Sequence, residues 1–158
     1  MDLSLCQSLE TLYLCGNRIT LQPNALHGLA QLKILKLEGF ECKLLDLSQC
    51  PNLKSILMCN RITLIPNNFH GLAQLKIFNI KGCECKGLDL SSWHNLEITD
   101  LCGKPITLQS NVLNGLAQLK ILKFKGCECK ALDVLSCRNQ EIIDLRGEGL
   151  SPFMHLHC

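Results

Sequence analysis

The sequence predicts an α/β solenoid, a chain wound into stacked coils that each give one short strand to a parallel sheet. Three observations predict it. The string GLAQLK stands at Gly28–Lys33, Gly71–Lys76 and Gly115–Lys120, with starts roughly 44 residues apart, and a fixed period in that range marks stacked repeats. Each long unit then divides in two, because leucine frames recur every 21 to 23 residues or so, which predicts about seven coils over residues 1–158 as one domain. Within each frame, apolar residues alternate with polar ones in steps of two, the period of a strand.

The elements follow in order. Leu9-x-x-Leu12-x-Leu14-x-x-Asn17-x-Ile19 opens the first coil and Leu32-x-x-Leu35-x-Leu37-x-x-Phe40-x-Cys42 the second; Leu53, Leu75, Leu96, Leu119 and Gln140 begin the others. Leu32, Leu35 and Leu37 are expected to point inward, with Ile34 and Lys36 outward. Gly16, Gly39, Gly82, Gly103, Gly126 and Gly147 each follow a strand, where the chain must bend. The rest of each coil is expected to return over the other side as turns and short helical or extended pieces. Pro23 and Pro66 fall there, where a missing N–H costs no sheet bond. Lys104-Pro105 makes the fifth coil the expected weak point.

The recurring LxxLxLxx(N/C)xL frame resembles the leucine-rich repeat family along nearly the whole chain. One frame alone is a weak sign; several in register are a specific one. The odd coils, such as NRITLIPNNFHGLAQL, resemble the typical subclass found in receptor ectodomains, and the even coils, ending in LDLSQCPN, the shorter intracellular subclasses. The resemblance implies a curved, right-handed superhelix whose concave face is the parallel sheet. Asn17, Asn60, Cys83 and Cys127 fit the family's Asn/Cys position, whereas Phe40, Lys104 and Glu148 depart from it. Asp2–Leu5 aligns with Asp46–Gln49, so the chain opens in mid-repeat and reads as a piece of a larger protein.

Composition narrows the function. Hydrophobic residues are 47% of the chain and aromatics 4%, so the core is Leu and Ile rather than rings. A formal net charge of +2 is too small to predict a nucleic-acid partner. No apolar run approaches the roughly 20 residues that span a bilayer, so no membrane insertion is expected. MDLSLCQSLE does not read as a secretory signal. No Gly-rich phosphate loop, HExxH or Ser/His/Asp order is present, so no catalytic centre and no cofactor are expected.

The 12 cysteines recur with the repeat, and that favours packing positions, reduced thiols and a cytoplasmic setting over an extracellular one. Cys83 and Cys127 fall at the Asn/Cys position, while Cys42, Cys85 and Cys129 replace an inward Ile. A disulfide needs Cα atoms within about 7 Å, and equivalent cysteines two coils apart are about 10 Å apart. Cys15, Cys59 and Cys102 form a more exposed column. A Cys-x-Cys thiol or metal protein and an extracellular receptor fragment remain the alternative readings, and His155-x-His157-Cys158 offers further ligand types.

The function that remains is protein binding on the sheet. Outward positions form three columns. One is Thr11, Ile34, Ser55, Ile77, Ile98, Ile121 and Ile142. The next is Tyr13, Lys36, Leu57, Asn79, Asp100, Lys123 and Asp144. The third is Cys15, Glu38, Cys59, Lys81, Cys102, Lys125 and Arg146. A strip of isoleucine rimmed by charge on a face open to water is the pattern of an interaction surface. Within it Tyr13, Lys36, Lys123, Lys125 and Arg146 are the expected anchors.

Overall fold

The computed structural model describes residues 3, 5–16, 21–22, 24–39, 45–59, 63–64, 69–108, 111–129 and 137–146, with backbone alone at 103–105 and 128–129. Asn17, Pro23, Phe40, Cys42, Asn60, Pro66, Gly147, Glu148 and His155 to Cys158 lie outside these residues, as do the side chains of Lys104 and Cys129.

Among the described residues nine strands form one sheet, parallel throughout: β1 (Thr11–Cys15), β2 (Ile34–Glu38), β3 (Ser55–Cys59), β4 (Thr63–Leu64), β5 (Ile77–Lys81), β6 (Glu84–Leu88), β7 (Ile98–Leu108), β8 (Ile121–Cys129) and β9 (Ile142–Asp144). The chain is a β-solenoid of about five turns with almost no helix. These turns run from β1 through β2, β3, β5 and β7 to β8, and β9 adds only three residues. The count is lower than the seven coils predicted from leucine spacing.

The strand frames are where the period of two places them. Leu12, Leu35, Ile56, Phe78 and Leu122 point inward and are buried, as are Leu37, Met58, Ile80, Leu101 and Phe124. Thr99 sits among them, and its hydroxyl donates to the Phe78 carbonyl at 3.1 Å, so the buried oxygen is satisfied.

Among the described residues the return side keeps the expected turns but not the short helices. Its segments are successive tight turns rather than short helices: Ala25 N–H bonds the Gln22 carbonyl, Leu29 that of Leu26, and Leu32 that of Leu29. Among the described residues only Phe69 has helical character, of the 3₁₀ kind. Glycine inside the repeated string explains this. Gly28, Gly71 and Gly115 take φ of 83°, 84° and 79°, a left-handed value that breaks a right-handed helix after one turn.

GLAQLK is therefore a coil-to-coil clip. The carbonyls of Ala30, Ala73 and Ala117 accept hydrogen bonds from the side-chain amides of Asn52, Asn95 and Asn139 in the next coil, at 2.8, 2.9 and 2.9 Å. Cys50 and Cys137 direct their thiols to the Leu26 and Leu113 carbonyls. In the middle copy the matching Leu, Leu and Cys become Phe69, Phe78 and Trp93, which pack edge to face with centroids 4.8–6.0 Å apart.

A second run of the ladder turns the corner beyond the first. It pairs β4 with β6, β6 with the end of β7, and the end of β7 with the end of β8. The expected weak point at Lys104-Pro105 is instead crossed by β7, whose pairing to β8 shifts register between Cys102 and Ile106. This shift corrects one cysteine assignment. Cys129 holds the frame position of an inward Ile such as Ile106, but it pairs with Leu108, and Cys127 takes the place beside Ile106, in line with Leu64 and Cys85. Three residues of β7, 103–105, stand against Gly126 alone, so the partner strand arrives two residues early.

Candidate interaction face

The outward face is defined by the pairing itself. Thr11, Ile34, Ser55, Ile77, Ile98, Ile121 and Ile142 are successive register partners, and so are Tyr13, Lys36, Leu57, Asn79, Asp100, Lys123 and Asp144. Cys15, Glu38, Cys59, Lys81, Cys102 and Lys125 make the third row. Arg146 lies two residues beyond the last paired position of β9 and is exposed. Neighbouring residues in a row stand about 4.8 Å apart.

Ile34, Ile77, Ile98 and Ile121 are half-buried, because each β-branched side chain is flanked on both sides by its row neighbours. At the sheet edges one flank is missing, and there Tyr13 is 61% and Ile142 44% exposed. The result is an apolar ridge that is continuous from Ile77 to Ile142 and separated from Ile34 by Ser55, bounded on one side by the mixed row of Lys36, Leu57, Asn79, Asp100 and Lys123.

Two of the expected anchors are already engaged within the chain. Lys36 Nζ lies 3.1 Å from Glu38 Oε1; the bond holds Glu38 below the usual carboxylate range and raises Lys36. Arg146 donates twice to Asp144, at 2.7 and 2.6 Å, and so lowers the carboxyl of Asp144. These pairs are exposed, and such pairs contribute little to stability.

One row escaped the sequence reading. Glu10, Lys33, Lys54, Lys76, Glu97, Lys120 and Glu141 stand one residue before each strand, joined by backbone bonds from each to the next. Its signal was present as charge recurring every 21 to 23 residues or so, hidden because the Leu frame was read from the following positions. Lys33 pairs with Glu10, while Lys76 and Lys120 both pair with Glu97.

Asn79 sits mid-face between Leu57 and Asp100. Its side-chain oxygen is shut off from solvent and has no hydrogen-bond partner. An unsatisfied buried acceptor costs about 1–3 kcal/mol, and an apolar replacement removes that cost. Asn79→Leu is thus expected to raise the unfolding free energy by about 1 kcal/mol in urea titration, with Leu57 as its row neighbour.

The thiols separate into two groups. Cys50, Cys83, Cys85, Cys127 and Cys137 are buried, Cys102 is half-buried, and Cys6, Cys15 and Cys59 are exposed. Burial pushes Cys50 and Cys85 up to about 11, and burial together with the Asp100 carboxylate does the same to Cys102, whose thiol donates to Asp100 at 2.8 Å. At pH 8 about one in a thousand of such groups is a thiolate, the reactive form. Labelling of the native protein with an aromatic disulfide at pH 8 is therefore expected to mark Cys6, Cys15 and Cys59, and to leave Cys50 and Cys85 unmarked until urea is added. Site-resolved mass spectrometry reads the order. Among the described residues no three His, Cys, Asp or Glu side chains converge as a metal site, and no helix is long and apolar enough to cross a membrane.

Compared with known proteins, the chain matches no family model, no curated protein and no solved structure.

Proposed function

We propose that this chain is a non-enzymatic protein-recognition solenoid of the leucine-rich repeat type, cytoplasmic, with the outward face of its sheet as the binding surface. One observation carries the reading: the isoleucines of β5, β7 and β8 stand in register as one apolar ridge, beside a row that alternates apolar, amide and charged side chains. Leu57, Ile77, Ile98 and Ile121 form its centre, and Tyr13, Lys36, Asn79, Asp100, Lys123, Lys125, Asp144 and Arg146 its polar surround. The LxxLxL frame and the inward leucines support the family reading, in which the sheet is the concave face of a right-handed superhelix. Burial of Cys50, Cys83, Cys85, Cys127 and Cys137 supports packing over thiol chemistry, and with it a reducing compartment.

Quantitative capture from extracts of cells that express the protein tests it. Proteins retained by the native chain should be lost from Ile98→Glu/Ile121→Glu and kept by Gln74→Glu on the return side. Equal capture by all three would sink the proposal.

A further inference from the structure

The charge on this face is unevenly answered, and that points to the chemistry of its occupant. On β2, β3, β5 and the residue before each stand Lys33, Lys36, Lys54, Lys76 and Lys81 against a single carboxylate, Glu38. Lys33 and Lys76 are drawn to Glu10 and Glu97 at the two flanks, and Lys36 to Glu38. Lys54, between Lys33 and Lys76, has no carboxylate partner among the described residues, and neither has Lys81 at the opposite end of β5. Lys81 and Lys125 also stand on either side of Cys102, whose thiol is turned to Asp100, and among the described residues Lys125 has no carboxylate partner either.

The free lysines bracket the apolar ridge. From the level of Lys54 and Lys76 to Lys81 is five residues of strand, about 17 Å at the strand rise. Between them lie Ile77, Leu57 and Asn79. Unpaired charge crowded on one sign is complementary to an opposite charge brought by a partner. Nucleic acid is disfavoured: among the described residues Tyr13, at the edge strand, is the one aromatic on the face available for stacking, and the lysines are separated by isoleucine rather than gathered into a backbone-tracking groove.

We infer that the occupant is an acidic protein segment, with apolar side chains on the Ile77–Ile98–Ile121 ridge and carboxylates reaching Lys54 on one flank and Lys81 and Lys125 on the other. This rests on the binding-face reading above. The lysines are placed to select the partner and speed its approach, and the ridge to hold it.

A random peptide library displayed on phage and panned on the immobilised chain tests this, with counter-selection on Ile98→Glu. Binders that depend on Ile98 are expected to carry Asp and Glu in clear excess over Lys and Arg. A purified binder from that pool should lose at least tenfold in affinity on Lys54→Glu/Lys81→Glu and weaken as salt rises, while Lys86→Glu on the other run of the ladder leaves it unchanged. Ile98-dependent binders with no acidic excess overturn the acidic inference and leave the binding face standing. Absence of Ile98-dependent binders overturns both. A mixed-sequence DNA oligonucleotide that binds the native chain and displaces these peptides also overturns it, in favour of nucleic acid.

Discussion

Trp93→Ala is expected to be the most destabilising single substitution in the described core, lowering the unfolding free energy by about 3–5 kcal/mol. Trp93 is 1% exposed and packs edge to face on both Phe69 and Phe78. Removing the indole leaves two rings facing a void that the backbone cannot close, because Trp93 N–H and C=O both hold the turn between Leu90 and Leu96. A domain is typically stable by only about 5–15 kcal/mol, so the loss takes a large share. The neighbouring copies sharpen the prediction. They fill the same positions with Leu26, Leu35 and Cys50, and with Leu113, Leu122 and Cys137, all buried. Changing Trp93 alone to Cys should therefore cost nearly as much as Trp93→Ala. The triple change Phe69→Leu/Phe78→Leu/Trp93→Cys should cost less than the sum of its single changes, by about 1 kcal/mol or more. Urea unfolding followed by circular dichroism measures all of these. Additive losses would mean that the three rings do not act as a unit.

The second large effect is on recognition. Ile98→Glu/Ile121→Glu is expected to weaken binding of any partner of this face by at least about a hundredfold, since central apolar anchors contribute about 2–4 kcal/mol each. The fold should survive. Both residues are half-buried on the outer surface, and their inward neighbours Thr99 and Leu122 are untouched. The cost to stability is expected to stay near 1–2 kcal/mol, the range of strand-propensity changes. Titration calorimetry against a captured partner reads the affinity, and circular dichroism confirms the folded state. An affinity within threefold of the native value would move the binding surface elsewhere.

Much of this was legible in the chain. The alternation Leu12–Tyr13–Leu14 and its repeats decide which side chains face in, because a slip of one residue would expose every leucine. All three outward rows follow from it, and the pairing matches them residue for residue as far as Lys123–Asp144. The return side was not legible. Short apolar runs such as LAQL suit a helix or a turn equally by period, and the left-handed φ of Gly28, Gly71 and Gly115 decides for turns. The corner at Cys102–Ile106 was also hidden. GCECK reads the same at Gly82 and Gly126, yet the extra residues of β7 shift one copy by two positions, a difference that exists only between strands. Within the candidate site, row membership was visible but pairing was not. Lys36 and Arg146 looked free until Glu38 and Asp144, two residues away on the same face, proved to hold them. Lys54 was overlooked because it precedes the strand, outside the leucine frame.

The central claim is that the outward isoleucines meet the partner while the inward ones only pack. Methyl NMR of the isoleucine-labelled chain tests it most directly, because both classes carry the same reporter on the same strands. On addition of a captured partner, the methyls of Ile34, Ile77, Ile98 and Ile121 should shift or broaden, and those of Ile56, Ile80 and Ile106, buried on the other side of the sheet, should hold their positions. Shifts confined to the inward set, or an outward set that stays still while the partner binds, would contradict the account.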